Sequence, residues 1–130
     1  MSLSINDFFP TAWFKYQGEP FEVWGFDTTM CYVTGKFEDH SFRQLSIESV
    51  EPIPIFDSIL PSFGLEQKKY KNAWHFKHYV FVKGFKYGYD TAFGNIIYIH
   101  ELQRVMIALK QKGVLFDPDI RNHVRQYPEF

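Results

Sequence analysis

Between Lys68 and Tyr89 the chain reads KKYKNAWHFKHYVFVKGFKYGY, eight aromatic rings and six lysines in one stretch. A run of that kind has two physical outcomes. Its rings fill the core of paired strands while the lysine stems lie along the sheet margin, or they form a surface that stacks bases and meets phosphates. The rest of the chain is aromatic too, with fifteen Phe, eight Tyr and three Trp in 130 residues. Each ring buries about 150–250 Å², so a few can build most of a core.

The first fifty residues read as short strands parted by turn signals. Ala12 to Tyr16 meets a tight turn at Gln17-Gly18, then Phe21 to Phe26, a turn at Asp27-Thr28-Thr29, and Met30 to Thr34. Gly35 marks a bulge or bend, and Asp39-His40-Ser41 turns into Phe42 to Ser46. Val50 to Ile53 is a further extended piece, because the residue before a proline avoids helical geometry. Close-spaced short strands of this sort predict a small SH3-like barrel or strongly bent antiparallel sheet over residues 1–54.

Residues 55–130 read as an α+β part packed against that module, making one compact unit of α+β class. Asp57 to Gly64 suits a short helix with Asp57 as cap and Gly64 as stop. Pro61 keeps it to one or two turns. The aromatic run reads as one strand from Ala73 through Lys77 to Val82, a turn at Lys83-Gly84, and a second strand from Phe85 to Tyr89. A loop follows from Asp90 to Asn95, and Ile96 to Tyr98 adds an extended piece. Ile99, Leu102, Val105, Met106 and Leu109 recur at helical spacing, with Lys110 and Lys112 in the last turn and Gly113 as the stop. Asp117-Pro118-Asp119 opens a short C-terminal helix carrying Ile120, Val124 and Tyr127.

Chemistry-bearing motifs fail on spacing. His100-Glu101-Leu102-Gln103-Arg104 begins like a zinc-protease helix but puts Arg104 where the second histidine belongs. His75 and His78, three apart on one strand, point to opposite faces. Cys31 sits among Met30, Tyr32 and Val33 with no cation in sequence to lower its pKa, so it reads as a small core residue. A lone cysteine also forbids an intrachain disulfide, which fits a reducing compartment. No serine elbow or phosphate loop occurs, and the expectation is a non-enzyme with no cofactor, metal or catalytic residue. No apolar run approaches the ~18 residues of a membrane span, and the N-terminus lacks a signal-peptide pattern. A cytoplasmic protein is expected.

Charge is divided along the chain. Residues 1–66 carry three basic and ten acidic side chains, and residues 67–130 carry eleven basic and five acidic ones. Such asymmetry points to two surfaces of different purpose, or to mutual attraction within or between chains. Lys77, Tyr79, Phe81 and Lys83 alternate onto one strand face, and Lys86 and Tyr87 extend the candidate surface. The first expectation is a non-catalytic interaction or assembly protein that binds a protein partner or itself. The alternative is single-stranded nucleic-acid binding through the basic hairpin.

Two segments carry a resemblance. Val50-Glu51-Pro52-Ile53-Pro54-Ile55, with Ile59-Leu60 and Phe63-Gly64 after it, resembles a Pro-Ile-Pro-Leu-like entry to a short helix. Tyr98-Ile99-His100-Glu101-Leu102-Gln103 with Ala108-Leu109 resembles a Tyr-Val-His-Gln-Leu-Gln helix. Both patterns belong to uncharacterised small proteins of Bacteroidetes genomes and their prophage-like regions. The resemblance implies a non-enzymatic, mobile-element-associated protein and transfers no active residue. His100 and Gln103 then read as capping and packing residues of their helix.

Overall fold

The computed structural model of the protein describes residues 3–68, 70–84, 88–109 and 117–126. They form two antiparallel sheets with helices, an α+β architecture. The chain divides into two compact units, Met1–Ile53 with Asp117–Phe130, and Pro54–Phe116.

In the first unit β1 (Trp13–Tyr16), β2 (Glu19–Asp27), β3 (Tyr32–Lys36) and β4 (Phe42–Ser46) pair in sequence order as an antiparallel meander. Gln17 and Gly18 connect β1 to β2 with φ of 48° and 78°. That left-handed pair twists the hairpin in the sense its strands prefer. After β4 a 3₁₀ turn, Ile47–Ser49, leads the chain back to β1. There Lys15 N donates to Glu51 O at 3.0 Å and Glu51 N donates to Lys15 O at 2.9 Å. The strands make an open sheet with this single bridge on its β1 edge, and no closed barrel forms among the described residues.

The inner face of the sheet buries Phe14, Phe21, Val23, Val33 and Leu45, with Phe8 and Phe37 beside them. Phe8 and Phe14 have ring centroids 4.6 Å apart, and Phe21 and Phe37 stand 5.2 Å apart. α2 (Asp117–Gln126) adds buried Ile120 and Val124.

Two local expectations change. The register of β2 slips between Val23 and Gly25, so the bulge lies at Trp24 rather than at Gly35. The extra residue shifts the alternation, and Phe26 pairs with buried Val33 on the inner side. Gly35 is instead a ladder residue facing Val23 and Arg43. The strand expected from Met30 begins at Tyr32, because Asp27 Oδ1 accepts from Thr29 N and Met30 N at 2.9 Å each and extends the turn. Cys31 therefore lies in that turn with φ of 56°, exposed rather than in the core.

The second unit holds β5 (Glu66–Gln67), β6 (Ala73–Phe76), β7 (Tyr79–Lys83), β8 (Tyr89–Thr91) and β9 (Gly94–Ile96), again in sequence order. A 3₁₀ helix, Asp57–Phe63, ends at Gly64 with φ of 84°. Its short, tight form tolerates Pro61, and Phe56 rather than Asp57 holds the capping position. The aromatic run breaks earlier than expected. Lys77 (φ 54°) and His78 turn β6 into β7, and Phe76 pairs with Tyr79. The stretch Asp90 to Asn95, expected as a loop, pairs as the β8–β9 hairpin. The strand expected from Phe85 is described only from Gly88 onward, since 85–87 lie outside the described residues.

α1 (Ile99–Ala108) forms where the periodicity predicts. Glu101 Oε1 accepts from Ile97 N at 3.1 Å and Tyr98 N at 3.0 Å, satisfying donors at the helix start. Ile99, Leu102, Val105 and Met106 are buried. The expected closing residues Lys110, Lys112 and Gly113, and Tyr127 in α2, lie outside the described residues.

Gly35 sets a steric condition for the first sheet. A Cβ there would stand 2.4 Å from Phe21 Cδ2, inside any real contact, and Phe21 is fully buried. Gly35→Ala is expected to destabilise the first unit by about 1–3 kcal/mol through overpacking. Urea unfolding of the full chain followed by tryptophan fluorescence measures it, and an unchanged midpoint would show that the ring moves freely.

Candidate functional site

The surface expected from the sequence is only partly at the surface. Tyr79, Phe81 and Lys83 do share one side of β7, since strand side chains alternate. That side faces inward at its centre, where Phe81 is 0% exposed. A ring with no solvent exposure cannot stack a base, so Phe81 leaves the candidate set. The opposite side of β7 presents Val80 and Val82. Tyr79 is half-buried against exposed Phe93, with centroids 5.5 Å apart. Lys77 is exposed in the turn, its Nζ 5.3 Å over the Phe76 ring. Lys86 and Tyr87 lie outside the described residues.

Lys83 is held by Asp57, a residue expected only as a helix cap. Lys83 Nζ lies 2.9 Å from Asp57 Oδ2, and the Tyr89 hydroxyl donates to Asp57 Oδ1. Burial works to raise the Asp57 pKa, but the Tyr89 and Lys83 hydrogen bonds outweigh it and leave the carboxyl below its ordinary 3.8. Burial first, and the carboxylate second, push the Tyr89 hydroxyl far above its ordinary range. The triad fixes the 3₁₀ helix to β7 and β8. No proton transfer near neutral pH follows from groups whose pKa values are driven apart in these directions.

Sequence reasoning missed a second group, on the outer face of the first sheet. The register aligns Glu22, Lys36 and Phe42 across β2, β3 and β4, and the bulge sets Trp24 beside them. Trp24 is 53% exposed and Phe42 55% exposed, with their rings edge-on at 5.2 Å. Lys36 Nζ sits 5.2 Å above the Trp24 ring. Trp24 and Phe42 stand eighteen positions apart in sequence. Only strand pairing joins them, so no local pattern could have flagged the pair.

The first unit also contains a cleft of about 380 Å³ between the β1–β2 turn, the β3–β4 turn and α2. Arg43, Arg121 and Arg125 line it with Glu19, Glu38 and Asp39. Arg121 is 6% exposed. Its Nη1 donates to Pro20 O at 2.9 Å and its guanidinium lies 5.2 Å over the Trp13 ring. Lys15, nearby in sequence, is buried as well. Burial lowers its pKa against the raising influence of Glu51, 3.9 Å away.

Histidines show no shared role. His75 lies half-buried in β6, His78 is exposed in the turn, and His100 is buried with its ring stacked 5.9 Å from Tyr98. Among the described residues no group of three or more His, Cys, Asp or Glu is placed to hold a metal ion. No helix among them is long and apolar enough to cross a membrane. No protein-family model, curated protein or solved structure matches the chain.

The Asp57 triad predicts a pH dependence. A carboxyl whose folded pKa is depressed contributes stability that is fully present above its unfolded pKa. That contribution is lost as pH falls through the folded value. The native protein is therefore expected to lose stability below pH 3.8 more steeply than Asp57→Asn. Parallel acid titrations by circular dichroism test this, and coincident slopes would remove the triad from the acid response.

Proposed function

We propose that the protein is a non-catalytic assembly protein, whose contact surface is the outer face of the first sheet and whose partner is a second copy of the chain. The observation that carries this reading is the Trp24–Phe42 pair, two rings each more than half exposed beside Lys36 on one sheet face. Exposed rings grouped in this way mark contact sites. At ~25 cal/mol per Å², covering roughly 200 Å² of ring surface is worth about 5 kcal/mol before the costs of association.

Charge selects the occupant. Residues 1–53 and 117–130 hold five basic and eleven acidic side chains, and residues 54–116 hold nine basic and four acidic ones. A copy's second unit therefore carries the charge opposite to the first unit of its neighbour. It also carries rings and valines to meet Trp24 and Phe42, notably Phe93, Tyr70, Val80 and Val82, all exposed. Contacts of that kind are heterologous, so they build rings or open arrays. The resemblance to small prophage-region proteins supports an assembly role in a mobile element.

Sedimentation velocity over a hundredfold range of concentration tests association. The expected outcome is a mass that grows with concentration, shrinks between 50 mM and 500 mM salt, and reverts to monomer in Trp24→Ser/Phe42→Ser. Both substitutions are on the surface and should change stability by less than about 0.5 kcal/mol. A strictly monomeric chain at low salt refutes self-association, and retained binding of another protein would transfer the surface to that partner.

A second reading is single-stranded nucleic-acid binding by the second unit, favoured by its excess of basic residues and the Tyr79–Phe93 ring pair. It predicts oligonucleotide affinity that falls steeply with salt. Tyr79→Ala should weaken it by about 1–3 kcal/mol. Filter binding that is absent, or indifferent to salt, eliminates it.

A further inference from the structure

The cleft of the first unit is physically unlike both surfaces above. Three guanidiniums converge on about 380 Å³, a volume within the range of small-ligand pockets. Gathering three like charges is unfavourable unless something neutralises them. In the chain alone three carboxylates do so. Arg43 reaches Glu19 Oε2 and Asp39 Oδ2, each at 3.5 Å. Arg125 pairs with Glu38.

Asp39 is held in place by Ser41 N and Ser41 Oγ, which donate to its Oδ1, so the displaceable competitors are Glu19 and Glu38. Glu19, Asp39 and Glu38 have side chains 63%, 62% and 55% exposed. The Arg43 contacts are also longer than the 2.7–2.9 Å of a strong charge-assisted bond. Exposed pairs of this quality contribute little, and they exchange readily with solvent. The arginines are better placed than their partners. Arg43 is stacked over the Phe37 ring, with its guanidinium carbon 4.1 Å from the centroid, and Nε donates to Ser41 Oγ at 3.3 Å. Arg121 is anchored beneath by Pro20 O and Trp13. Arg43 and Arg121, firmly placed and faced by a Glu19 that stands mostly in solvent, make a site whose anion is replaceable.

We infer that this cleft binds a compact dianion of the phosphate-monoester class, which displaces Glu19 and Glu38 from Arg43 and Arg125 above Arg121. A tetrahedral dianion presents oxygens to several forks at once, and the planar guanidinium pairs with it bidentately. A monocarboxylate presents two oxygens and one charge and serves fewer of the three arginines. The carboxylates of the chain then act as internal competitors that set the affinity low. The cleft belongs wholly to the first unit and needs no second copy, so this inference stands apart from self-association.

The test is a titration of the full chain with inorganic phosphate at constant ionic strength, read by arginine side-chain NMR, with acetate as the comparison. Saturable shifts with phosphate and much weaker ones with acetate are expected. Arg43→Gln should weaken phosphate roughly ten- to hundredfold, the loss expected for a hydrogen bond to a charged group. Glu19→Gln and Glu38→Gln should each tighten it severalfold, because they remove a competitor. These two substitutions lie on exposed side chains and keep the test decisive if an arginine variant misfolds. Three results overturn the inference. Phosphate shifts that never saturate would do so, as would acetate equal to phosphate. Glutamine variants that weaken binding would instead assign the carboxylates a purely structural role.

Discussion

The contact between the Phe21 ring and the backbone at Gly35 is the constraint on which the first unit rests. A side chain at position 35 would hold β3 away from the ring by the width of a methyl group. Without it, Phe21 lies flat against the sheet and reaches Phe37 and Phe14 on either side. That chain of rings continues to Phe8. The bulge at Trp24 comes from the same strand as Phe21 and adds local twist. One strand, β2, thus carries both the ring packed against Gly35 and the exposed Trp24.

Legibility followed the range of the interactions. Elements set by local chemistry were readable: the Gln17-Gly18 turn, the left-handed Gly64, the 3.6-residue period of α1 and the Asp-Pro opening of α2. What failed was set by neighbours distant in sequence. Lys77 takes a left-handed conformation that its type does not announce, because Phe76 and Tyr79 close the hairpin around it. Cys31 looked like a strand residue, yet the carboxylate of Asp27 holds two backbone donors and delays the strand. The alternation of β2 holds up to Val23 and reverses one residue later, where the bulge inserts Trp24. Side-chain alternation has a period of two, so a single inserted residue reverses every inference beyond it.

The aromatic run shows the same division. Its strand character was legible, and so was the shared side of Tyr79, Phe81 and Lys83. Which side faced the core was not, because both sides of β7 are apolar at that point: Phe81 on one, Val80 and Val82 on the other. Hydrophobic pattern cannot choose between them. Packing with residues distant in sequence decides it, and on the side of Phe81, Asp57, thirty-two residues before Tyr89, bonds to Tyr89 and Lys83.

Charge placement separates anchoring from recognition. Lys15 and Arg121 are the cations most deeply withdrawn from water in the first unit: Lys15 lies 3.9 Å from Glu51, and Arg121 is held by Pro20 O and the Trp13 ring. Arg43 and Arg125 sit at the cleft rim, where their carboxylate partners remain in solvent. Desolvating a cation is costly, and the cost is recovered only with close partners. The rim arginines incur less of it, and Glu19 and Glu38 stand more than half in solvent, so their pairing can change without disturbing the core. This gradient, from Arg121 in the floor to Arg43 and Arg125 at the edge, is what a replaceable counter-ion requires. A set of ion pairs meant only to fasten α2 would gain more from burying both members of each pair.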